Sequence, residues 1–292
     1  MADFTREEVE AAIEEYASTI ADEEDEFIEN DEETIDPETE KDKSTESLET
    51  NEPELELEEE ATPENIFEGK DLSGLDLSGI KFLGISLKNT NLKSTDLSNS
   101  DLSNSNMDQT NLNESNLSNA EMENVNCLEA TVQNANFDST NLQGAKFLGS
   151  NLTGSKLENA NLRKSVFLEA NLSKCNLNEA DLSNSDFSRT DMSHASAIES
   201  NLSRARFNGA NLESVDFTDS RLSMAVFFEA SFKNANLNRA QIKGAKLANG
   251  NFENADLLRA DITGADLTDA KFYNSNLSRA KLNGAILRRT DL

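Results

Sequence analysis

The sequence predicts a solenoid of short repeats over four-fifths of the chain, and three observations predict it. Every fifth residue from Phe67 to Leu292 is apolar, which gives 46 consecutive five-residue units, and Leu or Phe fills 38 of these positions. A small residue lies two positions before almost every apolar one, and Gly or Asn recurs two positions after it. A period of five fits neither an α-helix nor a flat strand, and a fixed period dictates the architecture.

Each position of the unit has its own chemistry. We call the apolar residue the centre; the residue before it is usually Asp or Asn, and the two residues after it are mostly polar. Eleven of the 12 glycines lie two residues after a centre. Since Gly and Asn tolerate a positive φ angle, we expect a turn at the end of every unit.

These units resemble those of the pentapeptide repeat family, as in Ala160-Asn161-Leu162-Arg163-Lys164 and Ala260-Asp261-Ile262-Thr263-Gly264. The resemblance covers 65–292. It implies an all-β fold, a right-handed quadrilateral β-helix in which four units form one coil and the centre and the small residue point inward. The 46 units would then make about 11.5 coils, a rod roughly 55 Å long at the spacing of paired strands.

The first 64 residues differ in composition and form a separate acidic arm. Residues 1–65 contain 28 Asp and Glu against three Lys and Arg, whereas 66–292 contain 28 acids and 23 bases. A segment so charged and so poor in apolar residues cannot bury enough surface to fold, so we expect most of the arm to be disordered.

One part of the arm is predicted to be a short amphipathic helix over 5–20. Thr5 and Glu8 have the spacing of a capping box, and Phe4 and Val9 that of a hydrophobic staple. The apolar residues that follow at helical spacing are Val9, Ile13, Tyr16 and Ile20. A helix of this length is marginal in water by itself, so we expect it to dock on another surface.

Nothing in the sequence indicates catalysis, a cofactor or a metal site. His194, the single histidine, falls at an outward turn position. Cys127 is a centre and Cys175 a small inward residue, and their places in the repeat put them too far apart for a disulfide. The acidic N-terminus and the lack of a long apolar run predict a soluble, cytoplasmic chain without membrane insertion. A net charge of −30 argues against nucleic acid as a ligand.

The leucines of the candidate binding site are spaced 20 residues apart in the sequence. Taken on the side that starts at Phe67, the position after the centre holds Leu128, Leu148 and Leu168 on three successive coils. Beside them lies Val166, and Val226 with Phe228 extends the apolar surface. Contiguous exposed apolar surface usually marks an interaction site; the alternative is that leucine only fills this position of the repeat.

We therefore expect a non-enzymatic protein-binding module or adaptor that presents a rigid rod and a flexible acidic arm to a protein partner. The alternative is a DNA mimic that inhibits or protects a type II topoisomerase or another DNA-binding enzyme, as some proteins of the family that it resembles do. That resemblance also favours a bacterial source. The uneven charge of the rod, −8 over 66–200 and +3 over 201–292, disfavours mimicry of DNA.

Two docking events are expected. The arm helix, or a helix of a partner, would lie along the leucines, because a helical turn of about 5.4 Å nearly matches a coil spacing of about 4.8 Å. The C-terminal end of the solenoid would form a weak homodimer, or would be covered by the arm, because an open end exposes strand edges and apolar core.

Overall fold

A computed structural model describes residues 2–29 and 65–292, with side chains for 2–18 and 65–292. The linker between the arm helix and the rod, which the sequence predicts to be disordered, lies outside the described residues.

Residues 65–292 form a β-helix. Its coils are held together by 41 parallel bridges, from Asp71↔Asn91 to Lys271↔Asp291, and each bridge joins residues 20 apart. The separation of 20 residues means that four units complete one coil, which confirms the predicted four-sided coil. Each side contributes one bridge residue, the one before the centre, and not a longer strand.

We number the four sides of the rod by their initial centres. These centres are Phe67 for the first side, Leu72 for the second, Leu77 for the third and Phe82 for the fourth. All four are fully buried, so each side begins with a residue that points into the core.

The predicted turns are present at the end of every unit. The residue two after the centre has a positive φ at all 45 positions from Gly69 to Arg289, and 34 of these residues are not glycine. The next residue donates its N–H to the carbonyl of the centre, as Thr90 does to Leu87 at 3.0 Å. A positive φ at the third residue together with this bond is typical of a type II turn.

The core runs along the axis of the rod. The centres from Phe67 to Phe272 are buried, and so are almost all of the small residues two positions before them. Small residues with a hydroxyl donate it to a backbone carbonyl: Thr90 donates to Phe67 in the preceding coil at 2.6 Å, and Ser100 donates to Leu97 in its own turn at 2.6 Å. These bonds remove the cost of burying the hydroxyl group.

The arm helix, α1, spans Arg6–Glu29 and is longer than the predicted 5–20. The capping box is formed as predicted: the Thr5 N–H donates to Glu8 Oε2 at 2.7 Å, and the Glu8 N–H donates to Thr5 Oγ1 at 3.3 Å. The predicted end at residue 20 followed the last apolar position of the pattern. The sequence that continues is rich in Glu, which favours helix without an apolar stripe.

Helix α1 packs on the outer end of the first coil. Val9 is fully buried within the core of the rod, and the ring of Phe4 meets that of Phe67 edge to face at 5.6 Å. Ile13 and Tyr16 are half-buried against the same core. The helix therefore covers apolar surface that no preceding coil covers.

The arm also bonds to the backbone edge of the first coil. The Asp3 N–H donates to the Asp71 carbonyl at 2.5 Å, and the Asp71 N–H donates to Asp3 Oδ2 at 2.6 Å. The Arg6 guanidinium donates to the carbonyls of Asp76 at 3.1 Å and Ser78 at 3.0 Å. These bonds replace those that a preceding coil would make on the second and third sides.

The expectation that the arm helix lies along the leucines at 128, 148 and 168 is therefore wrong, and the described part of the arm does not cap the C-terminal end either. The physical reason is that contacts at the first coil stabilise the docked helix more than contacts with the leucines would. There the helix buries Val9 and covers Phe67, and the arm satisfies backbone groups as well. The leucines offer only a half-exposed surface on a coil whose edges are already paired.

Candidate functional site

The predicted leucine ladder, which we define as Leu128, Leu148, Leu168 and Val166, lies on the outside of the first side. Leu128 and Leu148 are 38% and 37% exposed, and Leu168 and Val166 are half-buried. The leucines project because they occupy the second residue of the turn, directly after an inward centre. Part of their apolar surface thus remains in contact with solvent.

Stacked aromatic rings lie beneath Leu148 and Leu168, whereas the centre beneath Leu128 is Cys127. The centres Phe147, Phe167, Phe187, Phe207 and Phe227 form a continuous column. Their successive ring centroids are 4.9, 4.9, 5.2 and 4.9 Å apart, and the rings are within 11° of parallel. A column packed this closely gives the ladder a rigid base, because buried side chains in dense cores keep single rotamers.

A shallow groove adjoins the N-terminal end of the ladder. It has a volume of about 320 Å³, and its lining residues are Asp108, Asn126, Leu128, Lys146 and Leu148. The carboxylate of Asp108 accepts the Leu128 N–H at 2.8 Å, which fixes the edge of the groove. The surface here combines two leucines with one acidic and one basic side chain, so a partner with both apolar and charged groups would fit it.

Val226 and Phe228 form a second patch that is separate from the ladder. Phe228 is 44% exposed and Val226 is half-buried. Between Leu168 and Phe228 the same position holds Ser188 and Asn208. This polar stretch interrupts the apolar surface, so the predicted extension to Val226 and Phe228 is not contiguous with the leucines.

The predicted contact residues of the arm helix are placed at the first coil. Val9, Ile13 and Tyr16 face the rod, as described above. Ile20 belongs to α1, and its side chain lies outside the described residues. Sequence reasoning missed Asp3 and Arg6 as anchors of the arm, because their partners are backbone groups whose position no local pattern reveals.

The aspartates and asparagines before the centres hold the turns together. Asp76 Oδ1 accepts the N–H of Ser78 at 3.0 Å, and Asn91 donates from Nδ2 to Asp71 Oδ1 in the preceding coil at 2.9 Å. Hydrogen bonds from Ser73 and Ser78 lower the pKa of Asp71 and Asp76 respectively, since they stabilise the carboxylates. Within 2–29 and 65–292, no cluster of three or more His, Cys, Asp or Glu is arranged to hold a metal ion.

Neither thiol has the character of a nucleophile. Cys127 and Cys175 are both buried and reduced. Burial raises the pKa of the Cys175 thiol to about 12, and burial raises the pKa of Cys127 as well. Cys175 Sγ donates to the Leu152 carbonyl at 3.0 Å, as the serines and threonines at this position donate to theirs. His194 is exposed at a turn with a φ of 60°.

The fold of this chain is similar to those of several solved structures. HetL, a pentapeptide repeat protein involved in heterocyst differentiation regulation in the cyanobacterium Nostoc, is 29% identical with a TM-score of 0.59; the match covers 69% of this chain and 89% of HetL. A protein of the Arabidopsis thaliana thylakoid lumen is 29% identical with a TM-score of 0.32, over 32% of this chain and 66% of its own. QnrB1, a plasmid-mediated fluoroquinolone resistance protein, is 20% identical with a TM-score of 0.37, over 57% of this chain and 84% of its own.

A search of curated protein sequences found no match. Within the described part of the chain, no helix combines the length and the hydropathy of a membrane span. Two family models, a pentapeptide repeat region and pentapeptide repeats in eight copies, match the rod. The first covers 92–167, and the second covers 71–109, 167–204, 198–234, 235–274 and 270–292. The matches span most of the chain, and with the 20-residue coil and the repeated turns they show that it belongs to the pentapeptide repeat family, whose fold is a right-handed β-helix.

Proposed function

We propose that this protein is a non-enzymatic binding module in the cytoplasm, and that the leucine ladder is its contact surface for a protein partner. The observation that carries the proposal is the half-exposed row of leucines, of which Leu148 and Leu168 lie over the rigid aromatic column. Apolar side chains at regular spacing on a surface that does not deform present the same pattern to each partner, so little ordering cost is incurred on binding.

The position of α1 supports this proposal. Because the helix lies on the first coil, the ladder is not covered by any described part of the arm. A partner therefore does not have to displace α1 to reach Leu128 and Leu148. Docking of the arm helix on the ladder would have made the protein autoinhibited, and the position of α1 on the first coil does not produce that state.

Crosslinking from the ladder tests the proposal. A photoreactive amino acid at position 148 of the full-length protein should capture a defined partner, and Leu148→Glu should abolish copurification of that partner. Ile198→Glu is the matched control, since Ile198 occupies the same turn position on the opposite, third side. Equal loss in both variants, or no loss in either, would contradict a role for the ladder.

The alternative function is mimicry of DNA, and the distribution of charge makes it the weaker one. One edge of the rod carries Arg239, Arg259 and Arg279 on three successive coils. Arg239 pairs with Asp219, its Nε donating to Oδ1 at 2.6 Å. A basic edge would repel a surface that binds DNA phosphates. Inhibition of a type II topoisomerase by the purified protein, unchanged in Leu148→Glu, would favour mimicry.

A further inference from the structure

On the fourth side of the first coil, both backbone groups of the bridge residue lack a partner among the residues that the structure describes. In every later coil, the backbone groups on the fourth side pair with the preceding coil: the Asp101 N–H donates to Ile80 at 2.9 Å, and the Asp101 carbonyl accepts from Phe82 at 2.6 Å. The equivalent groups of the first coil belong to Lys81. Among the residues that the structure describes, none donates to the Lys81 carbonyl or accepts from its N–H.

This open edge differs from its neighbours on the same coil. On the second side Asp3 bonds to Asp71, and on the third side Arg6 bonds to the carbonyls of Asp76 and Ser78. The described part of the arm thus supplies partners for both backbone groups of Asp71 and for the carbonyl of Asp76, but for neither group of Lys81. An unpaired strand edge is a template for pairing with another extended chain.

An apolar groove lies beside the open edge, between α1 and the fourth side. It has a volume of about 360 Å³, and its lining residues are Ile13, Glu14, Tyr16, Ala17, Lys81, Leu83 and Ile85. Leu83 is 55% exposed, although it sits next to other apolar side chains. The groove can therefore receive apolar side chains from a chain that pairs with Lys81.

We propose that this corner binds an extended segment of a partner protein by strand addition. The segment would pair in parallel with Lys81, on the side opposite to Asp101, and place an apolar side chain between Leu83 and Tyr16. Alternate side chains of a strand point to opposite faces, so the residues on either side of the apolar one would face solvent.

The charge of Lys81 indicates which residues the bound segment of the partner should contain. Lys81 is exposed, and no ion pair joins it to another described residue. Glu14 lies on the α1 wall of the groove, whereas Lys81 lies on the exposed rod side. An acidic residue next to the apolar one would pair with Lys81 on that rod side, so the favoured ligand is a peptide in which leucine alternates with glutamate. The site is distinct from the leucine ladder, and the failure of either proposal leaves the other standing.

The first test measures binding of a fluorescein-labelled decapeptide of alternating Leu and Glu to the full-length protein by anisotropy. We expect saturable binding that Leu83→Glu weakens at least tenfold. Tyr273→Glu is the control, because it replaces another exposed apolar side chain, at a distant coil. Absence of binding, equal affinity in both variants, or equal binding of a peptide with the leucines adjacent would overturn the proposal.

The second test separates strand pairing from simple apolar contact. Hydrogen exchange of the Lys81 amide should slow at least tenfold on saturation with the alternating peptide, and an unchanged rate would overturn strand addition. The chain itself carries an alternation at 54–58, outside the described residues. If deleting 51–60 raises the affinity for the peptide tenfold, the groove belongs to the chain's own segment, which overturns a partner in trans.

Discussion

The two ends of the rod contain the same repeat but differ in how its centres are buried. Phe67 in the first coil is fully buried, whereas Leu287 and Leu292 in the last coil are 41% and 67% exposed. The difference is due to α1, which lies over the first coil in place of a preceding one. An inward-pointing centre is therefore fully buried only when another layer covers it. The repeat by itself supplies such layers between the two ends of the rod, but not at the ends themselves.

The comparison leaves one expectation open. Weak end-to-end association through the C-terminal coil stays a prediction, which light scattering at increasing protein concentration would check. The first coil is not available for such contact while α1 covers it.

The largest effect is expected from a centre in the middle of the rod. Leu172 is fully buried, and Leu172→Ala should lower the free energy of unfolding by about 2–5 kcal/mol. Leu172→Asp should lower it further, because it buries an unpaired charge. The matched variant Leu287→Ala should cost less than about 1.5 kcal/mol, because less apolar area is lost from burial. Urea unfolding measures all three; wild-type stability of Leu172→Asp would show that the centres do not point inward.

The next effect concerns the cap. Val9→Asp places a charge in the apolar contact between α1 and the first coil, so α1 should detach and its peptide bonds should become accessible. We expect glutamyl endopeptidase to cleave within 7–15 about ten times faster, since cleavage follows the population of the open form. Ala11→Asp, on the exposed face of α1, is the control. Similar cleavage rates in the two variants would mean that Val9 does not anchor the helix.

A smaller effect is expected at the turns, which have the same geometry at both ends. Gly264 has a φ of 70°, and a Cβ added there would meet no atom within 4 Å. Gly264→Ala should therefore cost about 1 kcal/mol through backbone conformation alone. Lys164, with a φ of 59°, offers the reverse change, and Lys164→Gly should stabilise by up to about 1 kcal/mol. Thermal unfolding measures both, and shifts of the same sign would contradict the conformational origin.

The smallest effect is a dependence on pH at the capped end. The folded-state pKa of Asp76 is lowered, first by the bonds from Ser78 and then by the charge of Arg6. Its contribution to stability is therefore present above the unfolded pKa of about 3.9 and is lost as the pH falls toward the folded value. Asp76→Asn should flatten the decline of stability as the pH falls through this range. Urea unfolding at a series of acidic pH values measures it, and an unchanged pH profile would count against a role for this carboxylate.

The sides of the rod could be predicted from the sequence, but its covered end could not. The five-residue period placed Leu172 inside and Lys164 at a turn, because each unit repeats the same local environment. The capping box at Thr5 also followed from local pattern. The docking of α1 depends instead on which surface offers the best partner for Val9, and that surface forms only when the rod is complete. The separation of the two apolar patches could have been predicted, because the polar residues between Leu168 and Phe228 are visible in the sequence. How much of each apolar side chain is exposed could be read only from the structure.

Hydrogen exchange of the α1 amides tests the central claim, that the arm helix covers the first coil. In the full-length protein, the amides of 9–18 should be protected. Their protection should persist in Leu148→Glu, which alters the ladder, and should fall to that of an isolated helix in Val9→Asp, which alters the cap. Absence of protection in the wild type, or its loss in Leu148→Glu, would contradict the claim.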